Sequence, residues 1–117
     1  LIHLVKMRAS QINGCAYCLD MHSRDAREKG ETEQRLYVLD AWRETELFTP
    51  RERAALAWTE ALTLISQTHA PDAVYSEVHA QRSGTELANL TLLIATINTW
   101  NRIAISTRMP IPAQKAA

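Results

Sequence analysis

Helix-breaking residues are scarce in this sequence. Only three glycines and four prolines occur in 117 residues, and they fall between apolar periodic stretches rather than inside them. Charge of one sign is not in excess either. Lys+Arg and Asp+Glu both number 13, so neither nucleic acid nor an anionic membrane is expected as the main partner. No apolar run approaches the roughly 18 residues that a membrane span needs. The longest, around LTLLIAT at residues 90–96, is followed by Asn98 and Asn101. Cysteine is limited to two residues, too few for an extracellular disulfide framework. The opening LIHLVKM has neither the charged start nor the small-residue cleavage site of a signal peptide. A cytoplasmic setting is therefore expected. Because the chain opens uncapped inside an apolar pattern, an upstream segment of the native protein is expected to precede it.

What is present reads as helix throughout. Leu1, Leu4, Val5, Arg8 (through its stem) and Ile12 recur at helical spacing until Asn13-Gly14 ends the segment. A second helix is predicted from about Cys15 to Lys29, with Gly30 in the left-handed position and Arg27 and Lys29 complementing the dipole. ETEQRLYVLDAWRE (31–44) predicts a third helix with Leu36, Leu39 and Trp42 inward. TPRERAALAWTEALTLI (49–65) has the clearest start: Thr49 as N-cap, Pro50 at the first helical position and Glu52 completing a capping box. Pro71 opens a further helix to about Gln81, and Ser83-Gly84-Thr85 starts a long one to about Thr107, before Pro110 and Pro112. No stretch shows the period-two alternation of a strand. The expectation is one all-α domain over residues 1–117, built of about six helices.

The chemistry is concentrated in INGCAYCLDMH, residues 12–22. At about 100° per residue, Cys15, Cys18 and His22 fall within an arc of about 60° on one helix face. Cys15 is expected in the first turn, where free N–H groups and the dipole favour an anion. Thiols of CxxC pairs at helix starts are acidified, and the thiolate is the reactive form. His22, one turn beyond Cys18, is placed to exchange a proton with it. A second thiol nearby captures a sulfenic acid as a disulfide. Thiol-based peroxide reduction and thiol–disulfide exchange both suit this arrangement. Two structural cysteines beside a surface histidine are the plain alternative. Zinc needs a fourth ligand. Haem attachment needs histidine directly after the second cysteine, where Leu19 stands.

LVKMRASQINGCAYCLDMHSRDAR resembles the core of the alkyl hydroperoxidase D (AhpD)-like branch of the carboxymuconolactone decarboxylase superfamily. The resemblance continues through GETEQRLYVLDAWRE, RERAALAWTEALTLI and ELANLTLLIATINTWNRIAI, nearly the whole chain. NGCxYCxxxH followed by INxWNR is far more specific than CxxC alone. The resemblance implies an AhpD-like all-α fold assembled as a trimer or as a hexamer of dimers. It also implies a thiol peroxidase acting on alkyl hydroperoxides or hydrogen peroxide, with no bound cofactor or metal. On that pattern Cys18 attacks the hydroperoxide and Cys15 resolves the sulfenic acid. A lipoyl- or thioredoxin-like dithiol, or a reductase, then restores both thiols, and His22 belongs to the proton relay. The helix-dipole reasoning instead favours Cys15 as the more acidic thiol. The family's relay glutamate, twelve residues before the first cysteine, is replaced here by His3, which is carried as a candidate relay residue because imidazole exchanges protons near neutrality. Tyr17 stands where founding members have a histidine. A dithiol oxidoreductase or redox sensor acting on a protein is the main rival, and a lactone decarboxylase is disfavoured because those enzymes typically lack the CxxC pair.

Other residues carry weaker expectations. Glu60, mid-helix among apolar neighbours, either reaches the cysteine face as the missing carboxylate or is solvated or paired with an arginine, the latter pair of readings being favoured. Trp58, Trp100 and LTLLIAT are expected in the core or at a subunit interface. Asn98, Asn101 and Arg102 are expected to cap or cross-link helices rather than bind a ligand, and His69 and His79 to lie on the surface.

Overall fold

The computed structural model describes residues 1–115. Among them there is no strand; seven α-helices and one 3-10 helix follow one another. They are α1 (Ile2–Asn13), α2 (Ala16–Glu28), α3 (Glu33–Tyr37), the 3-10 helix Leu39–Glu44, α4 (Pro50–Thr63), α5 (Ile65–Thr68), α6 (Asp72–Gln81) and α7 (Gly84–Ser106). Among the described residues no helix is long and apolar enough to cross a membrane.

Several boundaries follow from local chemistry, as the sequence predicts. Gly14 takes φ 70°, ψ 39°, and the N–H groups of both Gly14 and Cys15 are donated to the Ser10 carbonyl. This left-handed stop turns the chain at once into α2. Gly30 at φ 93° ends α2 in the same way. The capping boxes Thr49–Glu52 and Ser83–Glu86 are both complete, with Pro50 in the first turn of α4.

Residues 31–44 depart from the single predicted helix. An α-turn over Glu33–Tyr37 gives way to the 3-10 helix, with Ala41 outside helical angles at φ −113°, ψ 31°. The reason lies in packing. Leu36, Leu39 and Trp42, three residues apart, are all buried. A 3-10 helix has three residues per turn and keeps such a series on one stripe, whereas an α-helix rotates it away. Arg53 of α4 stabilises the resulting end, its guanidinium donating to the carbonyls of Trp42, Arg43 and Thr45. The helix over 49–65 likewise stops at Thr63, and a short α5 follows.

α1 packs against α2, α4 and α7 and divides the core in two. Leu4 and Met7 face Ala26, Leu36, Leu39, Trp42, Phe48 and Leu56. Val5 faces the other way, onto Ala54, Ala55, Trp58, Val78, Leu90 and Ile94. Successive α4 residues from Ala54 to Thr59 are all buried, and the small side chains of Ala54, Ala55 and Ala57 among them let α1, α6 and α7 approach. Each fully buried leucine or isoleucine contributes roughly 1.5–3 kcal/mol.

Polar pairs fix the register of α1 on α7. Asn13 Nδ2 donates to Asn98 Oδ1 and to Asn101 Oδ1, both at 2.9 Å. Asn101 Nδ2 donates to Ser10 Oγ at 3.0 Å, with Asn101 and Ser10 both fully buried. Asn98 Nδ2 also reaches Thr63 Oγ1 of α4, and Arg102 donates to Asn98. The expected cross-linking of helices is seen for Asn98 and Asn101, whereas among the described residues Arg102 bonds only to Asn98 within α7.

Glu60 is also paired, as favoured. It accepts from Arg8 Nε at 2.9 Å, from Trp42 Nε1 at 3.0 Å and from Arg43. Burial works to raise its pKa, but the hydrogen bonds from Arg43, Arg8 and Trp42 outweigh it and hold the carboxyl below its ordinary range. Trp58 is buried and donates to Thr91 Oγ1. Trp100 is 57% exposed on α7, together with Leu92 and Ile103. His69 and His79 are exposed.

Candidate active site

The Asn13-Gly14 turn delivers the first cysteine one residue earlier in the helix than the sequence predicts. Cys15 is the N-cap of α2, with extended angles, rather than a first-turn residue. Its Sγ accepts the Cys18 N–H at 3.2 Å, so sulfur does here what a serine oxygen does in an ordinary cap. That N–H and the helix dipole favour negative charge on Cys15 once it is reduced.

Cys15 and Cys18 are joined as a disulfide, their Cα atoms 5.3 Å apart. Both are almost wholly enclosed, at 1% and 2% exposure, packed on Ala104 and Tyr17. Their surroundings nevertheless differ. Cys18 lines a pocket of about 500 Å³ together with Lys6, Met21, His22, Ile97, Trp100 and Ile103. This volume lies in the range of about 300–1,000 Å³ usual for small-molecule sites. Cys15 instead borders a smaller recess of about 190 Å³, next to Gly14, Ala16 and Arg108. Tyr17 and Ala104 line both.

The histidines separate by role. His22 is buried and stands on the Cys18 pocket, its Nδ1 without a hydrogen-bond partner. Burial, then the ammonium of Lys6, push its pKa below the ordinary histidine value. Asp25 pulls the other way and His3 adds to the lowering. His3, near the start of α1, is not on the pocket wall, although its buried Nδ1 is also unpartnered. Its pKa is lowered by burial and then by Lys6, again against Asp25. The structure thus brings Cys18 and His22 to one cavity, sets Cys15 behind Cys18, and leaves His3 coupled to His22 only through the local field. Glu60 is occupied by Arg8, Trp42 and Arg43, and it is not among the residues lining the pocket.

Sequence reasoning missed Lys6 and Asp25. Asp25 follows His22 by three positions on α2, so the helical phase of that helix contained its signal, whereas Lys6 lies on α1 and only tertiary packing brings it to the pocket. Among the described residues, no group of three or more histidine, cysteine, aspartate or glutamate side chains is arranged to hold a metal ion.

Residues 1–61 match the model of the carboxymuconolactone decarboxylase family. The chain is 48% identical over 103 residues to the uncharacterized protein YdfG of Bacillus subtilis, covering 88% of this chain and 70% of that protein. It is 32% identical over 111 residues to the uncharacterized protein YnjA of Escherichia coli, covering 95% of this chain and 59% of YnjA. Among solved structures, a protein of unknown function from Agrobacterium tumefaciens, described as a candidate AhpD antioxidant-defence protein, superimposes with a TM-score of 0.94. Its sequence identity is 45%, and the match covers 97% of this chain and 77% of that one. With a family model across more than half of its residues and that likeness in fold and sequence, the chain belongs to the AhpD-like branch of the carboxymuconolactone decarboxylase family.

Proposed function

We propose that the protein is a thiol peroxidase of antioxidant defence that reduces organic hydroperoxides or hydrogen peroxide through a Cys15–Cys18 disulfide cycle. The observation that carries this reading is the position of Cys18. It alone of the two sulfurs borders the large pocket, beside a histidine whose pKa is lowered, with Cys15 already at bonding distance behind it.

In the reduced enzyme, neutral His22 accepts the Cys18 proton, and the thiolate attacks the distal oxygen of the hydroperoxide. An S–O bond forms, the O–O bond breaks, and the departing alkoxide takes the proton back from His22 as the alcohol leaves. Cys15, whose sulfur accepts the Cys18 N–H, attacks the Cys18 sulfenic sulfur. The S–S bond forms and water departs. An external dithiol reduces the disulfide by two electrons and becomes a disulfide itself. The sum is one hydroperoxide and one dithiol converted to alcohol, water and one disulfide. No bound cofactor is required. His3, outside the pocket, tunes His22 electrostatically instead of passing the proton at the sulfur.

The near-complete burial of both sulfurs favours this reading over a dithiol oxidoreductase acting on folded proteins, since a small hydroperoxide enters a pocket that a protein disulfide does not. By the same reasoning a slender lipoyl-type dithiol arm suits the reductive step. A reducing cytoplasm is the fitting setting for such a pair. Exposed Leu92, Trp100 and Ile103 on α7 favour assembly into a homo-oligomer, a trimer or hexamer on the family pattern.

The test is turnover of cumene hydroperoxide with a dithiol. Cys18→Ser is expected to abolish activity, and Cys15→Ser to halt the cycle after one sulfenic acid. Full peroxidase activity in Cys18→Ser would overturn the proposal.

A further inference from the structure

We propose that Lys6 is the specificity-determining residue of the Cys18 pocket, and that it selects hydroperoxides bearing a carboxylate on an otherwise apolar skeleton. The inference rests on the peroxidase reading for the reacting group. The carboxylate preference comes from the pocket itself.

Leu93, Ile97, Trp100 and Ile103 give the cavity walls that bind hydrocarbon. Lys6 is the one aspartate, glutamate, lysine or arginine side chain that lines it. Half-buried, Lys6 has no ion pair and donates no side-chain hydrogen bond among the described residues. Six arginines of the chain, by contrast, engage acidic side chains. An unpaired ammonium beside apolar walls is unfavourable when empty and favourable when an anion arrives, because the local dielectric strengthens the charge-assisted contact. The charge also acts at the reacting end, since Lys6 is the largest charged influence on His22. Lys6 thus shares the wall of this cavity with Cys18 and His22. Simple alkyl hydroperoxides and cumene hydroperoxide satisfy only the walls. A fatty-acid-type hydroperoxide satisfies both walls and cation.

The experiment compares linoleic acid hydroperoxide with its methyl ester as oxidants of the pre-reduced protein, reading the rate of Cys15–Cys18 disulfide formation at limiting oxidant. The wild type is expected to prefer the acid about tenfold, the size of one charge-assisted contact at a partly solvated site. Lys6→Gln is expected to bring the acid-to-ester ratio close to one, and Lys6→Arg to preserve it. A merely structural or thiolate-activating lysine would change both rates and leave their ratio. A wild-type ratio near one, or an unchanged ratio in Lys6→Gln, overturns the proposal. Binding of decanoate and of decanol to the oxidised protein, followed by tryptophan fluorescence, separates this from failure of the peroxidase reading. If no hydroperoxide reacts, a decanoate preference that Lys6→Gln removes still supports Lys6. Equal affinities for decanoate and decanol refute it.

Discussion

Glu60 joins three elements, and removing it has a cost that can be worked out group by group. Its carboxylate accepts from Arg8 of α1, from Trp42 and Arg43 of the 3-10 helix, and its own backbone belongs to α4. In Glu60→Ala the Trp42 indole N–H, in a residue only 4% exposed, loses its acceptor. That costs about 1–3 kcal/mol. Arg8, with a side chain 12% exposed, keeps Asp40 and Gln11 as partners, so it is not left as a bare buried charge. Its loss is about 1 kcal/mol. Arg43 is well exposed and contributes little. The expected destabilisation is about 2–4 kcal/mol, a large part of the roughly 5–15 kcal/mol that holds an ordinary domain together. Glu60→Gln keeps an acceptor for Trp42 and should lose about half as much. Urea unfolding checks both, as a fall in the midpoint at constant slope. The pH dependence has a definite sign. Because the folded pKa is lowered, the charge contribution is present above the unfolded value of about 4.3 and is lost as pH falls through the folded value. The gap between wild type and Glu60→Gln should therefore close in acid. Glu60→Gln is also expected to react with peroxide within about twofold of wild type, since Glu60 acts in the frame and not at the sulfur. A loss under about 0.5 kcal/mol in Glu60→Ala would refute the structural role. A slowing of about 10²-fold in Glu60→Gln would instead reveal a relay carboxylate.

Three further outcomes follow from the site and its support. His22→Gln is expected to slow the peroxide step by about 10²-fold or more, the usual contribution of a general base, in stopped-flow kinetics at pH 7. Because the folded pKa of His22 is lowered, its stabilising effect is present above the unfolded value of about 6.5 and is lost as pH falls through the folded value. His22→Gln should consequently lose less stability than wild type on acidification from neutral pH, as measured by urea midpoints. Asn101→Ala removes the acceptor of Asn13 and the donor to Ser10 in a fully buried setting. Urea unfolding should register a loss of about 2–4 kcal/mol.

The features readable from sequence share a local cause. Asn13-Gly14, Gly30, Thr49-Pro50 and Ser83-Gly84 end or start helices through their own backbone and side-chain chemistry, and all do so here. The break inside 31–44 escaped because its cause is tertiary. Leu36, Leu39 and Trp42 reach one core stripe only if the backbone tightens. The same division runs through the site. Helical phase brought Cys18 and His22 together, because both lie within α2. It did not reveal that Cys15, as a cap, faces a separate recess, nor that α7 residues some eighty positions away close the Cys18 pocket. Lys6 was passed over because a lysine on a helix is ordinarily solvated. Only the packing of α1 against α2 and α7 brings it to the wall of the Cys18 pocket.

The central claim is that Cys18 meets the hydroperoxide and Cys15 closes the disulfide. The most direct measurement is mass spectrometry of the fully reduced protein before and after one equivalent of peroxide. The account predicts a loss of two hydrogens confined to the Cys15–Cys18 peptide in wild type. It predicts a gain of one oxygen trapped on Cys18 in Cys15→Ser, and neither change in Cys18→Ser. An oxygen on Cys15 in Cys18→Ser, formed as fast as the wild-type disulfide, would contradict it.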